Sequence, residues 1–331
     1  MKKINLIQTG GTIAMQEGRE GAGLDRERWL DLLNREIPEL SGIAELTIDP
    51  LFFLDSSDLQ SEHWSTLAGH IQNRSESFDG FVILHGTDTM AYTASALSFL
   101  LCGLMKPVIF TGSQVPMSQR RSDARRNLVN AVELATLPIP EVAICFNDQL
   151  FRGNRTTKMS IGDFDAFASP NHPPLAEVGV EITIANVIRP EGPPVELRPE
   201  FNDQIFLLKL HPNLDPVLLS ALPMDQLRGV ILEAFGSGNF PMKGKYNLLP
   251  YIQSCREAGV DVVITSQAPY DAVDLTLYES GRAALDLGAV SAGDMTTEAV
   301  ITKSMILYGN GYRGDDFKDR FEMNLARERT N

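Results

Sequence analysis

Four glycine-containing stretches each follow an apolar run and carry groups able to do acyl-transfer chemistry. They are Thr9-Gly10-Gly11-Thr12, His85-Gly86-Thr87-Asp88-Thr89, Thr111-Gly112-Ser113-Gln114 and Arg152-Gly-Asn-Arg-Thr-Thr-Lys158. A threonine oxygen is a weak nucleophile until a neighbour takes its proton. Glycine beside it lets a substrate approach the backbone and lets N–H groups face a developing oxyanion. Thr12, after two glycines, meets that need, and Thr87-Asp88 adds a second hydroxyl with a carboxylate beside it. Each also has an ordinary structural use: Thr12 as a helix N-cap, Thr87-Asp88 as a strand-to-helix cap. Lys158 could be a base only if neutral, which burial and nearby cations favour and Asp88 opposes. A lysine there is equally at home as a surface cation.

Other chemistries lack their residues. The five histidines (His63, His70, His85, His172, His211) form no metal-ligand spacing, and there is no HExxH, CxxC, GxSxG or P-loop. One literal GxGxxG, Gly309 to Gly314, lies too near the end of the chain for a second strand and a ribose-binding acid to follow it.

The elements that must position these groups alternate. Apolar runs at Ile4–Ile7, Phe81–Leu84, Pro107–Phe110 and Val142–Phe146 predict strands. Helical spacing places helices at Trp29–Leu33, Trp64–Ile71, Ala91–Leu101 and Asp123–Leu137. Such alternation predicts an α/β domain with a mostly parallel sheet, whose ligands bind outside the carboxyl ends of the strands. Four prolines in Arg189–Pro199 suit neither helix nor central strand, so residues 189–200 are expected to link a domain at 1–188 to a smaller α/β domain at 201–331. There the predicted strands are Ile205–Leu210, Val230–Ala234 and Val262–Thr265. The predicted helices are Pro216–Leu222, Leu248–Ala258, Thr297–Leu307 and Asp315–Arg329.

A chain of 331 residues fits two domains. Its 29 basic and 43 acidic residues leave a net charge of −14, a poor surface for nucleic acid or an anionic membrane. The cluster Arg120, Arg121, Arg125 and Arg126, interrupted by Asp123, reads as a solvated helix start. Three cysteines make no disulfide framework, and the apolar run after Met1-Lys2-Lys3 is short and broken by Asn5 and Gln8. A cytoplasmic, reduced setting is expected.

Taken together, Thr9–Thr12, Leu84–Met90, Thr111–Gln114 and Arg152–Lys158 resemble the signatures of the bacterial L-asparaginase/glutaminase family, and Asp163–Asn171 resembles its cytoplasmic type I branch. The resemblance runs through the whole first part and more loosely through the second. It implies a parallel-sheet domain followed by a smaller α/β domain, usually as dimers or dimers of dimers. It implies that Thr12 attacks the side-chain amide. Thr87, Lys158 and Asp88 are then the second hydroxyl, its base and the anchor for the substrate α-amino group. Asp55-Ser56-Ser57-Asp58 resembles the carboxylate-binding turn, which gives Ser56 and Ser57 that task. The N–H groups of Thr87 and Ser113 become oxyanion donors, and Asn239 is expected to reach a site in a second subunit. The implied reaction is L-asparagine plus water giving L-aspartate and ammonia, through an acyl-threonine, without metal or cofactor.

One departure stands out. Members of the family commonly carry a tyrosine on the loop after the nucleophile, and Met15–Leu24 holds none. Two rivals follow: an amidohydrolase acting on glutamine, since one methylene is worth only about 1–3 kcal/mol in a pocket, and a catalytically weak amino-acid-binding homologue. A glutaminyl adaptor for tRNA-dependent amidation would want a further N-terminal domain and a basic face.

Overall fold

The computed structural model describes residues 1–11, 13, 33, 35–185 and 196–330. Thr12, the Met15–Leu24 loop, Trp29, Leu32 and part of the proline-rich stretch lie outside the described residues. The chain divides into two compact units, Met1–Val195 and Glu196–Asn331.

The first unit is built on an eight-stranded sheet. Its strands are β1 (Lys2–Gly10), β2 (Ala44–Leu54), β3 (Gly80–Leu84), β4 (Val108–Thr111), β5 (Val142–Phe146), β6 (Gln149–Arg152), β9 (Ala176–Val178) and β10 (Ile182–Ile184), in the order β10-β9-β6-β5-β4-β3-β1-β2. The short strands β7 (Thr157–Lys158) and β8 (Phe167–Ala168) pair apart from it. β2, β1, β3, β4 and β5 are parallel to their neighbours, whereas β6, β9 and β10 run antiparallel at one end. The parallel strands read as unbroken apolar runs because helices cover both faces. All five residues of β3 and of β5 are buried.

β2 was not anticipated. It holds Pro50 and Asp49 and alternates poorly, which an edge strand tolerates because one side of its ladder needs no donor. The helices are α1 (Leu40–Ile43), α2 (Ser61–Arg74), α3 (Met90–Leu100) and α4 (Ala124–Ala135). α2 is amphipathic, burying Trp64, Leu67, Ala68 and Ile71, and Gln60 starts it with a backbone N–H donated to His63 Nδ1 at 3.0 Å. α3 is buried on nearly every side.

The chain leaves β1 toward β2, then returns past it to β3 and proceeds to β4. The carboxyl ends of β1 and β3 therefore flank the point where the strand order reverses, the place such sheets offer to ligands.

The second unit has a four-stranded parallel sheet, β11 (Ile205–Lys209), β12 (Gly229–Ala234), β13 (Asp261–Ser266) and β14 (Val290–Ser291), in that order. Its helices are α5 (Leu249–Glu257), α6 (Glu279–Asp286), α7 (Thr297–Gly309) and α8 (Gly314–Glu322). Two predicted helices differ. Pro216–Ala221 is a 3₁₀ segment, because only Leu219 of it is buried while Val217 and Leu218 face solvent. The last helix stops at Glu322 rather than running to Arg329. There the buried Lys303 ammonium binds the Phe321 and Met323 carbonyls and Glu328, and the Glu328 carboxylate takes the Leu325 and Ala326 N–H groups, folding the tail back. The GxGxxG run joins α7 to α8 as a turn. A side chain on Gly309 would meet the Glu200 carbonyl at 1.9 Å, and Gly311 and Gly314 take positive φ.

Candidate active site

Glycine brings the predicted turns together. Gly10 and Gly11 end β1 at φ +122 and +87, a region open to glycine and strained for other residues. A Cβ on Gly11 would lie 2.5 Å from the Gly86 nitrogen, and one on Gly86 would lie 2.6 Å from Ser56 Oγ. A Cβ on Gly112 would lie 2.4 Å from the His85 carbonyl. The turns after β1, β2, β3 and β4 therefore pack backbone against backbone at one edge of the sheet. Thr89 Oγ1 ties the third of them to the second by donating to the Ser56 carbonyl at 2.7 Å.

Lys158 reaches this edge by a route the sequence did not disclose. Chain order, with Arg152–Lys158 coming after the predicted Val142–Phe146 strand, implies that the stretch leaves β5 directly at the carboxyl edge. Instead β6 intervenes and turns back, so that Arg152 pairs with Ala143 near the start of β5. The cause is the two-residue loop Asn147-Asp148, both at positive φ (45° and 64°), which closes a tight hairpin. Arg152 is locked there by paired contacts to Glu141 at 3.0 and 3.1 Å. Six further residues follow, three in a 3₁₀ turn (Gly153–Arg155) at about 2 Å each and three extended at about 3.3 Å each, about 16 Å in all, enough to retrace a five-residue strand. Gly153 passes close under Ala94 of α3, and β7 pairs with β8 to aim Lys158.

Lys158 Nζ then donates to Thr87 Oγ1 at 2.8 Å and to Asp88 Oδ1 at 2.6 Å. Thr87 is buried, the lysine side chain is 16% exposed and the Asp88 side chain 67% exposed. Thr87 Oγ1 donates in turn to Gln114 Oε1 at 3.3 Å, and Gln114 Nε2 donates to the Asp163 carbonyl at 3.1 Å. The hydroxyl thus has a cation on one side and an acceptor on the other, and Asp88 presents an open carboxylate beside it.

Ser113 is 1% exposed, and its Oγ has no partner among the described residues. Nor does the backbone N–H of Thr87 or of Ser113 donate to another described group. Asp123 accounts for the shape of this turn. Read in the sequence as an interruption of a basic surface run, it is buried, and its carboxylate takes the N–H groups of Gln114 and Val115 and the Asn127 amide at 2.9–3.1 Å. The arginines around it do lie outward, Arg125 on Glu39 and Arg126 on Asp148. A buried acid among solvated bases carries no distinguishing periodic signal, which is why Asp123 was missed.

The two serines differ. Ser56 is buried against Gly86, while Ser57 is exposed and donates its N–H and its hydroxyl to Asp55 Oδ1 at 2.9 and 2.7 Å. Those bonds, the backbone one first, hold the Asp55 carboxyl below its ordinary range. Asn239 lies in the second unit, where its Oδ1 accepts from Ser280 Oγ at 3.0 Å. His85 is fully buried, and its ionisation is pushed down to about 4, chiefly by burial. Among the described residues no group of three or more His, Cys, Asp or Glu is placed to hold a metal ion. No described helix is long and apolar enough to cross a membrane.

The chain matches family models along most of its length: "Asparaginase, N-terminal" over residues 3–189 and "Glutaminase/Asparaginase C-terminal domain" over residues 204–321. It is 39% identical to L-asparaginase 1 of Escherichia coli K12, across 99% of this chain and 98% of that one. Among solved structures, the thermostable L-asparaginase of Thermococcus kodakarensis matches with a TM-score of 0.89 at 36% identity, covering 99% of both chains. L-asparaginase I of Vibrio cholerae matches with a TM-score of 0.86 at 36% identity, covering 100% of this chain and 99% of that one. On these matches and on the packed glycine turns that carry its signature residues, the chain belongs to the asparaginase family.

Proposed function

We propose that this protein hydrolyses L-asparagine to L-aspartate and ammonia through a threonine acyl-enzyme. The observation that carries the reading is the Lys158–Thr87–Asp88 cluster at the strand-order reversal, with Lys158 Nζ 2.8 Å from the Thr87 hydroxyl and 2.6 Å from the Asp88 carboxylate. In this reading Thr12 Oγ attacks the side-chain amide carbon, and the carbonyl oxygen becomes an oxyanion facing the Thr87 and Ser113 N–H groups. Collapse expels ammonia, which takes the proton released from Thr12. Water then attacks the acyl ester, giving aspartate and restoring the Thr12 hydroxyl. Thr87, polarised by Lys158, relays protons in these steps. Asp88 holds the substrate α-amino group, and Ser56 and Ser57 hold its α-carboxylate. Ser57 must turn its hydroxyl away from Asp55 to do so.

Nearness of a carboxylate, a cation and hydroxyls suits a zwitterionic amino acid with a side-chain amide. The named relatives and neighbours are L-asparaginases, which favours asparagine over glutamine. With no tyrosine between Met15 and Leu24, acylation is the slow step in this reading. The working form is a homodimer or homotetramer in which Asn239 of another subunit completes the site. The three free cysteines suit a cytoplasmic setting. Ammonia release by the purified protein from asparagine and from glutamine tests the reaction. Release from neither overturns it, and faster release from glutamine overturns the substrate. Light scattering that finds a fully active monomer overturns the shared site.

A further inference from the structure

His85 is a buried titratable group to which the proposed hydrolysis assigns no task. Its ring Nδ1 lies 2.7 Å from the Gly86 carbonyl oxygen, and its Nε2 lies 2.9 Å from Thr93 Oγ1. A carbonyl only accepts, so Nδ1 carries a proton. Burial keeps the ring neutral, with its ionisation near 4, so Nε2 is an acceptor and takes the Thr93 hydroxyl proton. Thr93 Oγ1 in turn accepts from Trp64 Nε1 at 3.1 Å, and an indole nitrogen only donates. Every proton in the series Trp64–Thr93–His85–Gly86 therefore has one direction. Phe110 packs against the imidazole in a tilted, T-shaped arrangement at 5.8 Å between ring centres.

The series ends on a particular amide. The Gly86 carbonyl and the Thr87 N–H belong to one peptide group. Its partial double bond couples them, so a hydrogen bond drawn to the oxygen makes the N–H more positive and a better donor. Just before it, the Gly86 nitrogen lies close against Gly11 and the Gly86 Cα faces Ser56, which leaves little room for this turn to shift.

We propose that His85 is a positioning residue for the hydrolysis, orienting and polarising the Gly86–Thr87 peptide so that its N–H meets the oxyanion. This rests on the Thr87 N–H serving that oxyanion, as set out above. The contribution appears in the transition state rather than in substrate binding, because charge on the carbonyl oxygen develops only there.

The test compares two amides in place of the ring. In His85→Asn the side-chain NH₂ occupies the Nδ1 position and still donates to the Gly86 oxygen. In His85→Gln the amide sits where Nε2 was, facing Thr93, and that donation is lost. His85→Gln is expected to lower kcat about tenfold with little change in KM, less than the roughly 10²–10³ lost when an oxyanion donor is removed outright. His85→Asn should recover most of it. The probe is L-aspartate β-semialdehyde, whose aldehyde can form a tetrahedral adduct with a hydroxyl. His85→Gln should weaken its inhibition by a similar factor while leaving L-aspartate binding unchanged. Equal weakening of both would make His85 merely structural and overturn the proposal, as would wild-type kcat in His85→Gln.

Should the histidine variants fail to fold, Thr93→Val removes the Nε2 partner without changing shape and frees the ring to turn away from the Gly86 oxygen. The same loss of kcat is expected, with recovery in Thr93→Ser, and unchanged kcat in Thr93→Val overturns the proposal. Nitrogen NMR of the wild-type protein should find Nδ1 protonated and Nε2 bare at pH 5–8, and the reverse tautomer also overturns it. A wild-type protein that releases no ammonia from any amide removes the proposed function itself. Active wild type with an unaffected His85→Gln removes only this role.

Discussion

Replacing Lys158 by Met separates the catalytic from the structural share of the Lys158–Thr87–Asp88 cluster. Methionine keeps the unbranched stem and fills the same space without the ammonium. The loss to the fold follows from the geometry. The bond to Asp88, at 2.6 Å, joins a carboxylate that is 67% exposed, and such pairs are worth about 0–1 kcal/mol. The bond to Thr87 Oγ1, at 2.8 Å, comes from an ammonium and is worth roughly 1.5–3 kcal/mol, and the hydroxyl keeps its bond to Gln114. Together that is under about 4 kcal/mol. For a unit of 195 residues it corresponds to a fall in Tm of less than about 16 °C. The loss to the reaction is read separately, in kcat, because the Thr87 relay that Lys158 polarises is a positioned proton-transfer group and contributes about 10²–10⁴-fold, or about 2.7–5.4 kcal/mol of barrier. Lys158→Met should therefore stay folded, melting within about 16 °C of wild type, and yet lose at least a hundredfold in kcat for ammonia release from asparagine. A kcat within tenfold of wild type, with the fold intact, would refute the role given to Lys158.

Three further outcomes are expected. Asp88→Asn should raise KM for L-asparagine about 10- to 150-fold, the worth of a charge-assisted bond of about 1.5–3 kcal/mol. It should barely affect succinamate, the same amide without the α-amino group, and equal losses on both would make Asp88 structural. Thr12→Ala should abolish hydrolysis, and rapid-quench assays of the wild type should show ammonia release without a burst. A burst would mean that acylation is already fast. His85 gives a pH signature in stability. Its pKa is depressed in the folded state from 6.5 to about 4, so the unfolded chain binds the extra proton between those values. The stability tied to the neutral ring is fully present above pH 6.5 and is lost as pH falls toward 4, by about 3 kcal/mol at about 1.4 kcal/mol per pH unit. Denaturant melts of wild type and His85→Asn should diverge across that window, and parallel curves would count against the burial argument.

The apolar runs of β1, β3, β4 and β5 and the stripe of Trp64, Leu67, Ala68 and Ile71 are local signals, and they predicted the central strands and α2 where they are found. The turns at Thr9–Gly11, His85–Thr89 and Thr111–Gln114 were legible for a related reason. In a parallel sheet the residue after a strand must lie at its carboxyl edge, so chain order alone implied a shared edge.

Three things were decided only by the tertiary structure. The hairpin at Asn147-Asp148 reversed the chain before Lys158, and only the return past α3 put its amine on Thr87. Asp123, lying among arginines, shapes the Gln114 turn through bonds to backbone groups about nine residues away in sequence. His85 has its tautomer fixed by the Gly86 carbonyl and its ring held by Thr93, which Trp64 of a different helix supports in turn. In each case the deciding contact joins groups whose separation along the chain carries no period. Hydrophobic patterning sets which residues are buried. Which buried polar group meets which is set by the packing that removes water from around them, since a polar group out of water must find a partner wherever the fold supplies one.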